Sequence, residues 1–412
     1  MNEIVEVYFW PDIFIGTLYF RLSNGKQSSS FEYNREWLKD RGNSFALEPA
    51  LELYPGPHHI KTPPLLGCFS DCSPDRWGRN LIMRNESRKA DALKQNAKSI
   101  TELDFLLGVN DETRQGALRF KLKGNDEYLS PNKEKSIPPL LSLPKLLNAT
   151  ERLLESKESE EDLKILFNGG PSLGGARPKA SIYNNNCLSI AKFPKNDDAF
   201  DVSLWESLAL SLAKKAGINV PEWHIENVLN KNILVLNRFD RLGKNRIPFI
   251  SAMTMLGAND REQHSYIDVA NAIINNAVNP KKDLEELWKR MVFNIAISNI
   301  DDHLRNHGFL LKDKKGWELS PAYDMNPVPR IIRPNLHELS ISVNSSEGLI
   351  DTAFAVKDEF RLNSEKANSI YKEFNSSVSE WEKIARALNI KKSEISMMKS
   401  AFSVTPNVFS VR

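Results

Sequence analysis

Between Asn294 and Leu311 the chain reads NIAISNIDDHLRNHGFLL, with acids, imidazoles, a guanidinium and amides crowded between two apolar runs. Polar groups set between buried elements are costly unless they are paired or put to use. Asp301 and Asn306 lie five residues apart. At that separation, phosphoryl-transfer loops carry a carboxylate that accepts a hydroxyl proton and an amide that holds a metal ion. Downstream, LSPAYDMNPVP brings a second acid, Asp324, behind another short apolar segment. Asn306 and Asp324 offer the hard oxygens that Mg²⁺ takes while keeping part of its water shell. The chemistry these residues suit is phosphoryl transfer.

Within the acidic doublet, Asp301 has the required spacing and reads as the base that orients and deprotonates an attacking hydroxyl; Asp302 reads as a solvated neighbour. His303 has no partner histidine at helical spacing, so it reads as a packing or phosphate-contacting residue rather than a metal ligand. Arg305 either neutralises transferred phosphate or pairs with Asp302.

These groups need elements to position them. Leu284, Leu287, Trp288, Met291, Val292 and Ile295 recur at i, i+3, i+4, i+7 spacing, which predicts a buried helix leading into the cluster. Gly308–Leu311 reads as a short strand after it. Further upstream, NGGPSLGGARPKASIY is rich in glycine, and Gly169, Gly170, Gly174 and Gly175 let backbone N–H groups approach phosphate oxygens. The segment is neither a Walker A loop nor G-x-G-x-x-G, so an ordinary loop is the competing reading. Arg177, Lys179 and Lys192 nearby favour an anion site, and Ser172 is a candidate phospho-acceptor within it.

Lys192 closes the strand-like LSIAK, where a protein-kinase β3 lysine would reach α- and β-phosphates; a solvated strand-end lysine is the plainer reading. Glu206 in the next helix is its natural ion-pair partner, while Trp205 and Leu208 read as core. In LVLNRFDR, backbone groups at Asn237 to Phe239 could hold an adenine edge, or Arg238, Asp240 and Arg241 could pair across a junction.

At 412 residues the chain is long enough for two or three domains with their own cores. A net charge of +2 is too balanced to argue for a dedicated nucleic-acid or membrane surface. No run of about 18 apolar residues suggests a membrane span, and MNEIVEVYFWPDIFIG lacks the basic start of a signal peptide. Cys68 and Cys72 form a lone C-x3-C that reads as reduced, inert thiols rather than a zinc site, which points to an intracellular, cytoplasmic setting.

Alternating side chains over residues 1–34 predict strands with a turn at Ser23-Asn24-Gly25, and a helix is expected to begin after Ser73-Pro74. The polar, proline-containing stretch 126–139 is the best linker candidate, and ESKESEED reads as a solvated helix face or mobile loop. The expected organisation is an α+β, two-lobed protein-kinase-like fold with an additional N-terminal α/β subdomain. That subdomain covers 1–125, followed by the linker 126–139. A β-rich, nucleotide-binding N-lobe then takes 140–240, and an all-α catalytic C-lobe takes 241–412.

With these residues in view, nearly the whole chain resembles the HipA family of serine/threonine kinases, toxins of type II toxin–antitoxin pairs. PSLGGARPKA resembles the family's Gly-rich loop, LNRFDR its hinge motif, SNIDDHLRN its N-x-D-x-H-x-K-N catalytic motif and SPAYDM its metal motif. DCSPDRWGRNLI resembles the signature of its N-terminal subdomain. Two departures stand out: Asp302 replaces a small residue, and Arg305 a lysine.

The resemblance implies Asp301 as catalytic base and Asn306 and Asp324 as magnesium ligands. It implies ATP contacts from Gly174, Gly175, Ala176, Arg177, Pro178, Lys179 and Lys192, from Asn237, Arg238 and Phe239, and from His303, Arg305, Asn306, Tyr323 and Asp324. Ser172 would be autophosphorylated, silencing the kinase. Such kinases act on a protein serine, an aminoacyl-tRNA synthetase (glutamyl-tRNA synthetase) being the known kind of target. They are held by a small helix-turn-helix antitoxin, HipB-like, which makes the main contacts to DNA. A small-molecule kinase of related fold and a nucleotide-binding co-repressor acting with a DNA-binding partner are the rival readings.

Overall fold

The computed structural model describes residues 2–60, 64–128, 137–170, 177–260, 262–343 and 345–402. At the N-terminus, strands Asn2–Phe9, Ile13–Ser23 and Lys26–Tyr33 form an antiparallel meander. Its alternation buries Val5, Val7, Leu18, Phe20, Phe31 and Tyr33. Asn24 and Gly25 make the tight turn with φ of 50° and 75°, the left-handed pair that a two-residue hairpin matching strand twist demands. Pro57–Ile60 and Leu118–Leu122 complete the sheet on its two sides. Gly16 is required by close packing, since a Cβ there would lie 2.4 Å from the Glu32 carbonyl.

Helix Arg76–Ala92 starts where the sequence predicts, with the Asp75 carboxylate accepting from the Gly78 N–H as N-cap. The second sheet runs in the order Lys179–Asn184, Cys187–Lys192, Lys231–Asn237, Trp223–Val228. One apolar core joins Trp77 and Leu81, Leu146 and Leu153 of helix Leu143–Leu154, Leu166 of helix Glu160–Asn168, and Ile182, Ala191 and Val235 of the sheet. The strand after the glycine-rich segment is therefore built into the same core as the N-terminal signature helix.

Most of ESKESEED is exposed, as expected, but two of its acids are not. Glu158 is buried against Arg84 and Arg88, and Asp162 closes a capping box while pairing with Arg152. Hydrogen bonds from Arg152 lead the effects that hold the Asp162 carboxyl far below the usual range, against the opposing cost of burial. These two acids are the ends of ion pairs, and that of Glu158 reaches back to residues distant in sequence.

Compactness divides the chain into two units. One comprises 1–197, 226–250 and 313–315; the other comprises 198–225, 251–312 and 316–412. The second is mainly helical, with strands Gly308–Lys312 and Gly316–Leu319 paired as a hairpin. Helix Pro280–Ala296 is at its centre, and Leu284, Leu287, Trp288, Met291, Val292 and Ile295 are all fully buried. Each such side chain contributes roughly 1.5–3 kcal/mol of transfer free energy before conformational entropy is counted. Trp205 stacks near Trp381 and Phe402, with the last two rings parallel at 4.5 Å. Among the described residues no helix is long and apolar enough to cross a membrane.

Candidate active site

Helix Pro280–Ala296 ends at Ile297, and Ser298 takes a left-handed φ of 53° that turns the chain out of the helix. The turn is fixed by side chains. Asn299 donates its amide to Asn294 at 3.0 Å, Asn294 donates to the Tyr266 hydroxyl at 3.0 Å, and Tyr266 donates to Asp302. His307 Nε2 meets the same Asp302 oxygen at 2.9 Å. Asp302 is thus a buried anchor, 3% exposed, and not the solvated neighbour expected from sequence. Burial pushes its carboxyl up, but the His307 imidazole and the hydrogen bonds from His307 and Tyr266 outweigh that and leave it below the usual range. Burial, with the Asp302 charge, drives the Tyr266 hydroxyl far above its ordinary pKa.

Asp301 has the opposite environment. Its side chain is 66% exposed, and it meets the guanidinium of Arg333, also exposed, at 3.4 Å. One residue apart, the doublet divides into a fixed carboxylate and an accessible one. Asn306 is oriented by donating to the Asp301 carbonyl at 3.2 Å. The Tyr323 hydroxyl donates to the Arg305 carbonyl at 2.7 Å, tying the segment before Asp324 to the residue before Asn306. Asp324 itself has φ of 61° and accepts from Asn326 at 3.4 Å. An amide oxygen and a carboxylate on two segments stitched together in this way fit a hard cation such as Mg²⁺. No group of three or more His, Cys, Asp and Glu suited to a metal occurs among the described residues. Arg305 does not pair with Asp302: its guanidinium is bound to Asp260. His303 is exposed.

In the other unit, Lys192 ends strand Cys187–Lys192, half-buried and opposite Lys179 in register. Lys179, expected to cradle phosphates, has a buried side chain paired with Asp75 at 2.9 Å, while Trp77 donates its indole N–H to the Lys179 carbonyl at 3.1 Å. Two residues of the N-terminal signature thus clamp the strand that follows the glycine-rich segment. Arg177 is half-buried and Pro178 buried; Pro178 accepts from the Phe193 N–H at 2.9 Å. Ser172, Gly174, Gly175 and Ala176 lie outside the described residues. Gly170 has φ of 70° and rests against Thr113, so closely that a Cβ would meet its hydroxyl at 2.1 Å.

At Arg238 the expected pairing, shared with Arg241 on Asp240, is present. The Arg238 N–H is bonded to the Leu188 carbonyl, and its guanidinium binds Asp240 and the carbonyls of Thr113 and Arg114. Arg241 grips the same Asp240 carboxylate at 2.7 Å, and the Gly116 N–H donates to it at 2.8 Å. Burial raises the Asp240 carboxyl, but Arg238 and Arg241 outweigh it and hold it far below the usual range. The Arg238 side chain therefore serves the frame. Asn237, bonded through its side chain to Ser189 at 3.0 Å, and Phe239, half-buried beside Phe249, flank it. Glu206 is buried in helix Val202–Lys215, with Trp205 and Leu208 as core beside it.

Sequence reasoning missed three things. Tyr266 and His307 as anchors of Asp302 gave no signal, because nothing in the spacing separates two adjacent aspartates. Arg333, in a proline-flanked segment, carried no spacing cue either. The Asp75 clamp was visible only as part of the motif DCSPDRWGRNLI.

A meander, a second sheet holding a strand-end lysine, and a helical unit whose catalytic-type loop leads into a hairpin together make a kinase-like α+β fold. The match to known proteins narrows this. Residues 171–381 match the HipA-like C-terminal domain, which covers half of the chain, and the chain belongs to the HipA family. A chain of the HipA, HipB and operator DNA toxin–antitoxin complex of Shewanella oneidensis MR-1 superposes with a TM-score of 0.64 at 16% identity, covering 97% of this chain and 95% of that one. At that identity the likeness speaks for the fold. A Haemophilus influenzae protein named as a candidate kinase is 26% identical over 155 residues, 33% of this chain and 45% of the relative. A Sinorhizobium fredii protein similarly named is 25% identical over 135 residues, 29% of this chain and 32% of the relative. The chain thus spans less than half the length of either relative.

Proposed function

We propose that the chain is an ATP- and Mg²⁺-dependent protein serine/threonine kinase acting as a growth-inhibiting toxin. The observation that carries this reading is the division of the doublet: Asp301 exposed at the loop's turn, Asp302 buried as its anchor. A fixed neighbour holds the backbone, and so the accessible carboxylate is presented in a set place. Asp301 accepts the proton of an acceptor hydroxyl as that oxygen bonds to the γ-phosphorus and the bond to the departing ADP oxygen breaks. Asn306 and Asp324 would hold Mg²⁺, which when bound would supply positive charge against the donor phosphates. Lys192 and Arg177 hold phosphates, with Glu206 as the expected ion-pair support of Lys192, and Asn237 and Phe239 border the adenine. Catalysis would rest on positioning and electrostatics, since phosphoryl transfer asks little covalent chemistry of the protein.

The partners follow from family membership: a HipB-like helix-turn-helix antitoxin, DNA reached mainly through it, and a protein substrate, an aminoacyl-tRNA synthetase being the first to try. Ser172 is the proposed autophosphorylation site. Incubating the protein with ATP and Mg²⁺ and measuring its intact mass, beside Asp301→Ala, tests the reading. One added phosphate on the parent alone, mapping to Ser172, is expected. A parent that gains no phosphate and consumes no ATP overturns it.

A further inference from the structure

The basic residue inside the catalytic-type motif, Arg305, is bound to Asp260. The cation that stands at Asp301 comes from elsewhere. Arg333, 32 residues after Asp301, places Nη1 at 3.4 Å from Asp301 Oδ1. An exposed pair at that distance is worth ~0–1 kcal/mol and would not by itself hold the segment in place. The backbone does so. The Val328 N–H donates to the Ser298 carbonyl at 3.2 Å, the Glu338 N–H to Ile300 at 3.0 Å and the Leu339 N–H to Asp302 at 2.9 Å. Between these attachments, Ile332 and Arg333 donate back to the Pro329 carbonyl in a tight turn, and the Arg330 N–H is held by Ser400. The segment carrying Arg333 is therefore fastened before it to Ser298 and after it to Ile300 and Asp302, the two residues flanking Asp301.

We infer that Arg333 is a positioning and charge-neutralising residue for phosphoryl transfer, resting on the kinase reading above. It orients the Asp301 carboxylate and presents its remaining N–H groups to the phosphoryl group being transferred. A guanidinium has five N–H donors, and the contact with Asp301 uses one. With a side chain 58% exposed, Arg333 remains open to an incoming acceptor. A cation here meets charge that grows on the phosphoryl oxygens, so its effect belongs to the chemical step more than to nucleotide binding.

Time courses of phosphate incorporation by intact mass, over a range of ATP concentrations with Mg²⁺, test this on the full chain. The parent, Arg333→Ala and Arg333→Lys are compared. The expected result is a kcat at least ~10-fold lower in Arg333→Ala with the KM for ATP within about twofold of the parent, and recovery of most of the loss in Arg333→Lys. Melting temperatures are expected to coincide, because the pair is exposed. An Arg333→Ala rate equal to the parent's overturns the inference; so does a higher rate, which would make the arginine a latch on the base. A loss confined to KM for ATP also overturns it. An inactive parent instead defeats the kinase reading itself, which keeps the two failures distinct.

Discussion

Two of the chain's acid-bearing motifs, LNRFDR and SNIDDHLRN, use the same side chains to opposite ends. In the first, Asp240 is buried and takes two arginines and a backbone N–H, while those arginines also hold carbonyls of residues 113–116. In the second, Asp302 is buried in the same manner, but Asp301 beside it faces solvent with one loose partner. Every ionised group taken out of water needs full compensation. A carboxylate that has such compensation is a fastening; one without it is available for chemistry. What separates the two roles is the packing around each acid, since the residue type is common to both.

The largest effect expected from this contrast is on Asp240. Removing it leaves Arg238 and Arg241 buried without their counter-charge, so Asp240→Ala should cost about 3–5 kcal/mol in denaturant unfolding. A loss below 1 kcal/mol would mean that the network contributes little. Next comes acid sensitivity near the second motif. His337 is 3% exposed, and neither ring nitrogen has a hydrogen-bond partner among the described residues. Burial lowers its pKa to about 4, with the Asp302 charge opposing. The unfolded imidazole takes a proton near pH 6.5 while the folded one stays neutral until about pH 4. Stability from this group is therefore complete above pH 6.5 and falls on acidification, by about 3 kcal/mol across that window. His337→Leu should show a flatter decline of melting temperature between pH 6.5 and 4.5; parallel declines in the two proteins would refute the assignment.

How far the sequence carried this account depends on the separation between partners. The helix into the catalytic loop was legible because its apolar side chains recur with the helix period, and the meander because Asn24-Gly25 suits a two-residue turn. Asp301 and Asn306 stood out through their close spacing within one stretch, and Asp324 through a second acidic segment downstream. What stayed hidden was long-range: Lys179 with Asp75, Glu158 with Arg84, Arg333 with Asp301, and Tyr266 under Asp302. Each pairing joins residues brought together only by tertiary packing. The same holds for Arg238, whose motif allowed either a nucleotide contact or a structural pair until its guanidinium was seen to be occupied. Asp301 and Asp302, identical and adjacent, are the sharpest case, because only burial tells them apart.

That case also gives the most direct test. Asp301→Asn and Asp302→Asn should be compared for both phosphate transfer from ATP and thermal melting. The account predicts that Asp301→Asn loses transfer by about 10²–10⁴-fold while melting with the parent, and that Asp302→Asn melts lower. Near-parental transfer by Asp301→Asn, or unchanged melting of Asp302→Asn, would contradict the division of labour on which the reading rests.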